Sequence, residues 1–211
     1  MPANLYGWTK AELRFFSKLD APVKIQRFLN SLQYDADYAC RSPRFVIKER
    51  KAHCFEGALF AASALRMQGH PPLLIDLRSH NDDDHVIAVF KRDGCWGSIA
   101  KSNFTTIRFR EPVYNTVREL VMSYFDFYYN TLGEKTLREY TMPIDLSRFD
   151  KRNWMTTDKD LEFIGDHLNA RRHVRILTPE QIDALEMVDK DLICAGLLGS
   201  RPEGLFKPKK G

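Results

Sequence analysis

Between residues 54 and 99 the apolar pattern changes period once, from helical to strand-like, and that change limits what the chain can become. From Cys54 to about Met67 the sequence is rich in Ala and Leu around Phe60, and Gly69 followed by Pro71-Pro72 stops the run. The composition predicts a helix buried on much of its circumference. Residues 73–77, 85–90 and 96–99 then read as three short strands, joined by residues 78–84 and by the turn Lys91-Arg92-Asp93-Gly94. Connections this short allow only antiparallel neighbours. A fourth strand near 104–109 would extend the sheet, and a helix packed on such a meander is an α+β fold.

The flanks are helical in pattern. Thr9 and Glu12 form a capping box ahead of a helix of roughly 10–19, and Ala21-Pro22 opens a second helix with Val23, Ile25, Phe28, Leu29 and Leu32 on one face. Residues 33–50 are expected to be irregular and to lead the chain into a site. After Pro112, apolar and aromatic residues from Val113 to Tyr128 recur at helical spacing as far as Gly133. Residues 142–146 read as an extended connection. Two further helices are expected at about 158–169 and 179–188, the second marked by Thr178-Pro179-Glu180-Gln181. With no repeat or low-complexity linker, the reading is a single domain over 1–211: a core of about 45–130, N-terminal helices within 9–33 and a C-terminal helical extension over 134–211.

Composition excludes several function classes. A chain of 211 residues that is 44% hydrophobic can bury a core, and no apolar run is long enough to span a bilayer, so no membrane role is expected. The first residues lack the basic start and apolar stretch of a secretory signal, which leads us to expect a cytoplasmic protein with reduced thiols. Cysteines at 40, 54, 95 and 194 form no CxxC pair, so neither a zinc site nor a disulfide framework is indicated. The net charge is +4 with basic residues dispersed, which gives nucleic-acid binding little support.

One constellation points to chemistry. Cys54 opens the Ala-rich helix, where backbone N–H groups and the helix dipole favour a thiolate, and the basic Lys48, Arg50 and Lys51 would add to that effect. His85 begins a strand about thirty residues later and is placed to take the thiol proton. A carboxylate curling back from Asp82 or Asp83 would raise the imidazole pKa, although a run of three aspartates is more simply a solvated turn. The bland alternative is that Cys54 is a buried helix residue and His85 a polar strand end. Cys40, Cys95 and Cys194 read as packing residues, and His53, His70, His80, His167 and His173 as solvated or structural. Aromatics between Tyr114 and Tyr129 either line a pocket beside Cys54 or, as helical spacing more often means, fill the core.

The Cys-helix, His-strand and following-strand order over about 50–110 resembles the transglutaminase-like superfamily, within the papain-like fold. Glu56-Gly57-Ala58-Leu59 with Ala61, Ala62, Ala64 and Leu65 is similar to the Cys helix of bacterial transglutaminase-like proteins. Arg50, Cys54, Phe55 and Glu56 also resemble the R-G-G-x-C-x-E signature of arylamine N-acetyltransferases. Lys51 and Ala52 stand where that signature has glycines, which argues against acetyl-coenzyme A, and no cofactor is expected. The resemblance implies a third residue, Asp or Asn, on the strand after the His strand. Ala100 falls near that position, leaving Asn103 as the best substitute and Ser98 and Ser102 as weaker ones.

The expected catalytic set is therefore Cys54, His85, Asn103 and Ser98, acting on an amide or acyl group of a peptide or small molecule. The oxyanion would be held by the Cys54 N–H and a donor from 45–51. The competing readings are a catalytically degenerate transglutaminase-like module that binds a peptide or small molecule, and a purely structural protein.

Overall fold

The computed structural model describes residues 5–37 and 39–209. Two short helices, α1 (Lys10–Phe16) and α2 (Pro22–Asn30), come first, the former closed by the Thr9–Glu12 capping box and the latter entered through Pro22 at its first turn. Residues 33–50 are more ordered than their sequence suggests. They contain the strand β1 (Gln33–Tyr34) and the helix α3 (Pro43–Glu49), and β1 pairs in parallel with β2 (Lys51–Ala52). This two-stranded clip delivers the chain to α4 (Cys54–Met67), whose residues from Phe55 to Leu65 are all buried.

Next comes the expected meander, β3 (Leu73–Ser79), β4 (His85–Arg92) and β5 (Cys95–Ile99), paired antiparallel. Arg92 faces Cys95 across a two-residue loop in which Asp93 and Gly94 have φ of 52° and 81°. Two consecutive left-handed residues are what a type I′ hairpin demands, and Asp-Gly is the pair that tolerates it. The fourth strand lies later than its expected place, at β6 (Arg110–Tyr114), so the helical pattern begins only at α5 (Val117–Phe125).

The C-terminal third departs most from expectation. The two expected helices are present, α6 (Glu162–Asn169) and a shorter α7 (Pro179–Asp183), followed by α8 (Lys190–Leu197), but the extension is not helical alone: it also supplies β7 (Leu137–Thr141), β8 (Ile144–Asp145) and β9 (His173–Arg175). The sheet order is β6-β5-β4-β3-β7-β9, with β8 also on β3, and every pairing is antiparallel. The fold is thus α+β.

Strand alternation divides the core in two. Leu74, Val86, Ala88, Phe90 and Ile99 face α1, α2 and α4, where Phe16, Phe28 and Phe60 stack. Ile75, Leu77, Ile87, Val89 and Ala100 face α5 through Val117, Leu120, Val121 and Tyr124. No helix among the described residues is long and apolar enough to cross a membrane.

Candidate active site

The N-terminus of α4 is fixed by its neighbours on both sides. His53 is the N-cap: its Nδ1 accepts the Phe55 N–H (3.3 Å), and its Nε2–H donates to the Ala39 carbonyl (3.0 Å). Glu56, fully buried, closes the capping box on the His53 N–H at 3.3 Å and receives the Arg41 Nε–H at 2.7 Å. Arg41 reaches on to Asp35 and Asp37, and Lys51 also pairs with Asp35 at 3.2 Å. The partner of Glu56 is therefore Arg41. Arg50, which the acetyltransferase-like signature brings forward, instead ends α3 in a left-handed conformation and lays its guanidinium over Phe28.

Cys54 occupies the first position of α4 and is half-buried, with its sulfur 3.8 Å from the Asp84 carbonyl oxygen. The Phe55 and Val86 N–H groups both favour its thiolate, but burial outweighs them, and Asp83 and Asp76 act in the same direction as burial. The thiol is pushed up to about 12, chiefly by desolvation. The expected basic environment is absent from it. Lys51 is committed to Asp35, Lys48 pairs with Glu49, and Arg50 donates to Ser31.

The peptide groups that meet the sulfur, Asp84 C=O and Val86 N–H, flank His85 on β4, whose side chain lies on the other face of the strand from Val86, the face shared by Leu77 and Ile87. His85 is 3% exposed; its Nε2 lies 3.0 Å from the Ile107 carbonyl oxygen and its ring is edge-on to Tyr128. A carbonyl can only accept, so Nε2 carries the proton and Nδ1, the nitrogen nearer the strand, keeps its lone pair. Burial depresses the imidazole to about 4, and Arg110 adds to the effect. The carboxylate expected to raise it acts elsewhere. Asp82 accepts the Thr136 hydroxyl (2.8 Å), Asp84 accepts the Ser79 N–H (2.7 Å), and Asp83 lines the cavity with them.

Neither expected third member orients the ring. Asn103 is buried and bonds twice to the main chain of Arg201, through Nδ2 to the carbonyl (2.9 Å) and from the Arg201 N–H to Oδ1 (2.8 Å). Ser98 shares a hydrogen bond of 2.7 Å with the Tyr124 hydroxyl. Ser102 caps the turn by accepting the Phe104 N–H. The group that fixes the His85 tautomer is the Ile107 main-chain carbonyl.

Cys54 and His85 line one cavity of about 370 Å³. Cys40, Phe104, Tyr128 and Tyr129 share its wall, and burial together with Asp160 raises the Cys40 thiol to about 11. Six aspartates line it as well, at 35, 37, 76, 82, 83 and 84. Asp76, 3% exposed, lies on the α4 side of β3 and takes His173 Nε2 at 3.1 Å. That contact joins strands about a hundred residues apart, and the sequence carries no sign of it.

No family model matches this chain, and no curated protein is similar to it. Its chemistry rests on the site itself.

Proposed function

We propose that this protein is a thiol enzyme that cleaves or transfers an amide or acyl group, built on a transglutaminase-like core. The observation that supports it is the seating of the Cys54 sulfur against the two peptide groups that flank His85, with the His85 tautomer fixed by Ile107. The order of α4, β3, β4 and β5 agrees with such a core.

Because Cys54 is held as a thiol and His85 as a neutral imidazole, the pair works by general-base catalysis and not as a resting thiolate–imidazolium pair. Cys54 Sγ attacks the carbonyl carbon as its proton passes to His85 Nδ1 across the cavity that both residues line. The tetrahedral oxyanion forms beside the Cys54 N–H, which at the first position of a helix has no intrahelical acceptor. Collapse breaks the bond to the leaving group, which takes the proton back from His85, and water or an amine then resolves the thioester. A neutral carbonyl on Nε2–H steadies the imidazolium less than a carboxylate does, so a slow chemical step is expected.

Incubation with p-nitrophenyl acetate tests this. Wild type should give a burst of nitrophenolate with one acetyl group found on Cys54 by peptide mass spectrometry, absent from Cys54→Ser. Acetylation spread over surface lysines, with Cys54 unmodified, would refute it.

The second reading is a binding module descended from such enzymes. Ala100 at the position of the usual acid, and acidic instead of basic groups around Cys54, both favour it. It predicts no burst but retained ligand binding.

A further inference from the structure

The chain's own C-terminal segment crosses this cavity. Gly204, Leu205 and Phe206 form part of its wall. The segment is held on both sides of these residues by the same device, an asparagine amide bonded twice to one residue's main chain. Asn103 grips Arg201, as described above. Asn81 grips Lys209, donating from Nδ2 to the carbonyl (3.0 Å) and accepting the N–H at Oδ1 (2.8 Å). These bonds read only backbone, so they would hold any extended peptide of suitable span. Between the clamps Gly204 passes tightly over Tyr34, where a Cβ would fall 2.7 Å from the ring.

Charge supplies the selectivity. Arg41 and Lys51 offset Asp35 and Asp37, whereas the one ion pair made by Asp76, Asp82, Asp83 and Asp84 among the described residues is that of Asp76 with His173, His53 and Arg78 acting on Asp83 and Asp76 from farther off. No Lys or Arg lines the cavity among the described residues. Asp76 is itself 3% exposed and meets His173 through Oδ2. The segment that lies here carries Lys207 and Lys209, both exposed.

We propose that the cavity beside Cys54 is a binding cleft for an extended, lysine-bearing peptide, and that residues 201–209 occupy it in cis. The clamps fix the backbone, the acidic wall selects positive charge, and the cis segment competes with a peptide in trans. This goes beyond the thiol chemistry and makes no use of the reactivity of Cys54.

The test uses the full chain carrying Gly204→Val, which displaces the segment from its own side and leaves both asparagine clamps in place. A fluorescein-labelled peptide with the sequence of residues 201–209 is titrated and followed by anisotropy. Saturable binding at least tenfold tighter to Gly204→Val than to wild type is expected, with at least tenfold weakening when the peptide carries Lys207→Glu and Lys209→Glu, and again when the protein also loses its clamps through Asn81→Gly and Asn103→Ala. Should Gly204→Val fold poorly, Gly204→Ala makes the smaller intrusion and the same order is expected. Absence of binding to either opened variant, equal binding to wild type, or equal binding of the two peptides would overturn the proposal. Loss of peptide binding with the Cys54 acetyl burst retained would sink this inference alone; peptide binding without a burst would sink the enzyme reading alone.

Discussion

The two walls of the cavity are built from similar residues in opposite ways. On the α4 side, Glu56, Asp35 and Asp37 are all met by Arg41 or Lys51, and His53 has both ring nitrogens bonded. On the β3–β4 side, Asp76, Asp82, Asp83 and Asp84 act on one another, the one ion pair among the described residues is that of Asp76 with His173, and burial holds the carboxyl of Asp82 up to about 7. The first wall is satisfied and serves to hold the helix terminus in place. The second crowds carboxyl groups beside Cys54, an arrangement that costs stability and that the proposed binding of a cationic peptide would explain.

The largest effect should come from breaking the satisfied wall. Arg41→Met leaves Glu56 buried without its cation, and removal of one partner of such a pair costs about 3–5 kcal/mol. Urea unfolding at pH 7 should register that loss; a change within the range of a surface substitution would show that the wall is not held by this network.

The opposite sign is expected across the cavity. Because the Asp82 carboxyl is raised to about 7, the folded protein keeps a proton there that the unfolded chain gives up near its ordinary value, 3.8. Between those two values the folded state binds more protons, so stability falls as pH rises. Asp82→Asn removes this dependence. It should be more stable than wild type at pH 8, by on the order of 4 kcal/mol, and equal to it near pH 4. A gap that is constant with pH, or one that closes on going up, would contradict the assignment of strain to this wall.

The smallest effect is expected at Ser98. Ser98→Ala deletes one buried hydrogen bond to Tyr124 and should cost about 1 kcal/mol. The pH profile of Cys54 acylation should stay as in wild type, since Ser98 does not touch His85. A displaced profile would restore Ser98 to the site.

How much of this was legible follows from what carries each contact. Helix α4, the meander and the start of β4 at His85 are local, written in period, turn residues and caps, and the structure contains all three. Strands β7 to β9 were missed because Leu137–Thr141 lacks alternation and its partner β3 lies some sixty residues earlier. The orienter of His85 was invisible because it is a main-chain carbonyl, which any residue at 107 would supply. Arg41 and Glu56 left only half a signal: Glu56 completes a capping box that begins at His53, and nothing local marks its partner fifteen residues upstream. Asn103 was singled out for an amide that the structure uses to grip Arg201.

The central claim is that His85 Nδ1 takes the proton of a neutral Cys54 thiol. The direct measurement is the rate of Cys54 acetylation by p-nitrophenyl acetate from pH 3.5 to 8, in wild type and in His85→Ala. With the imidazole depressed to about 4, the wild-type rate should rise through that value and then level, and His85→Ala should lose the plateau by at least a hundredfold at pH 6. A rate that climbs tenfold per pH unit through neutrality and is the same in both proteins is what an unassisted thiol near 12 would give, and it would contradict the account.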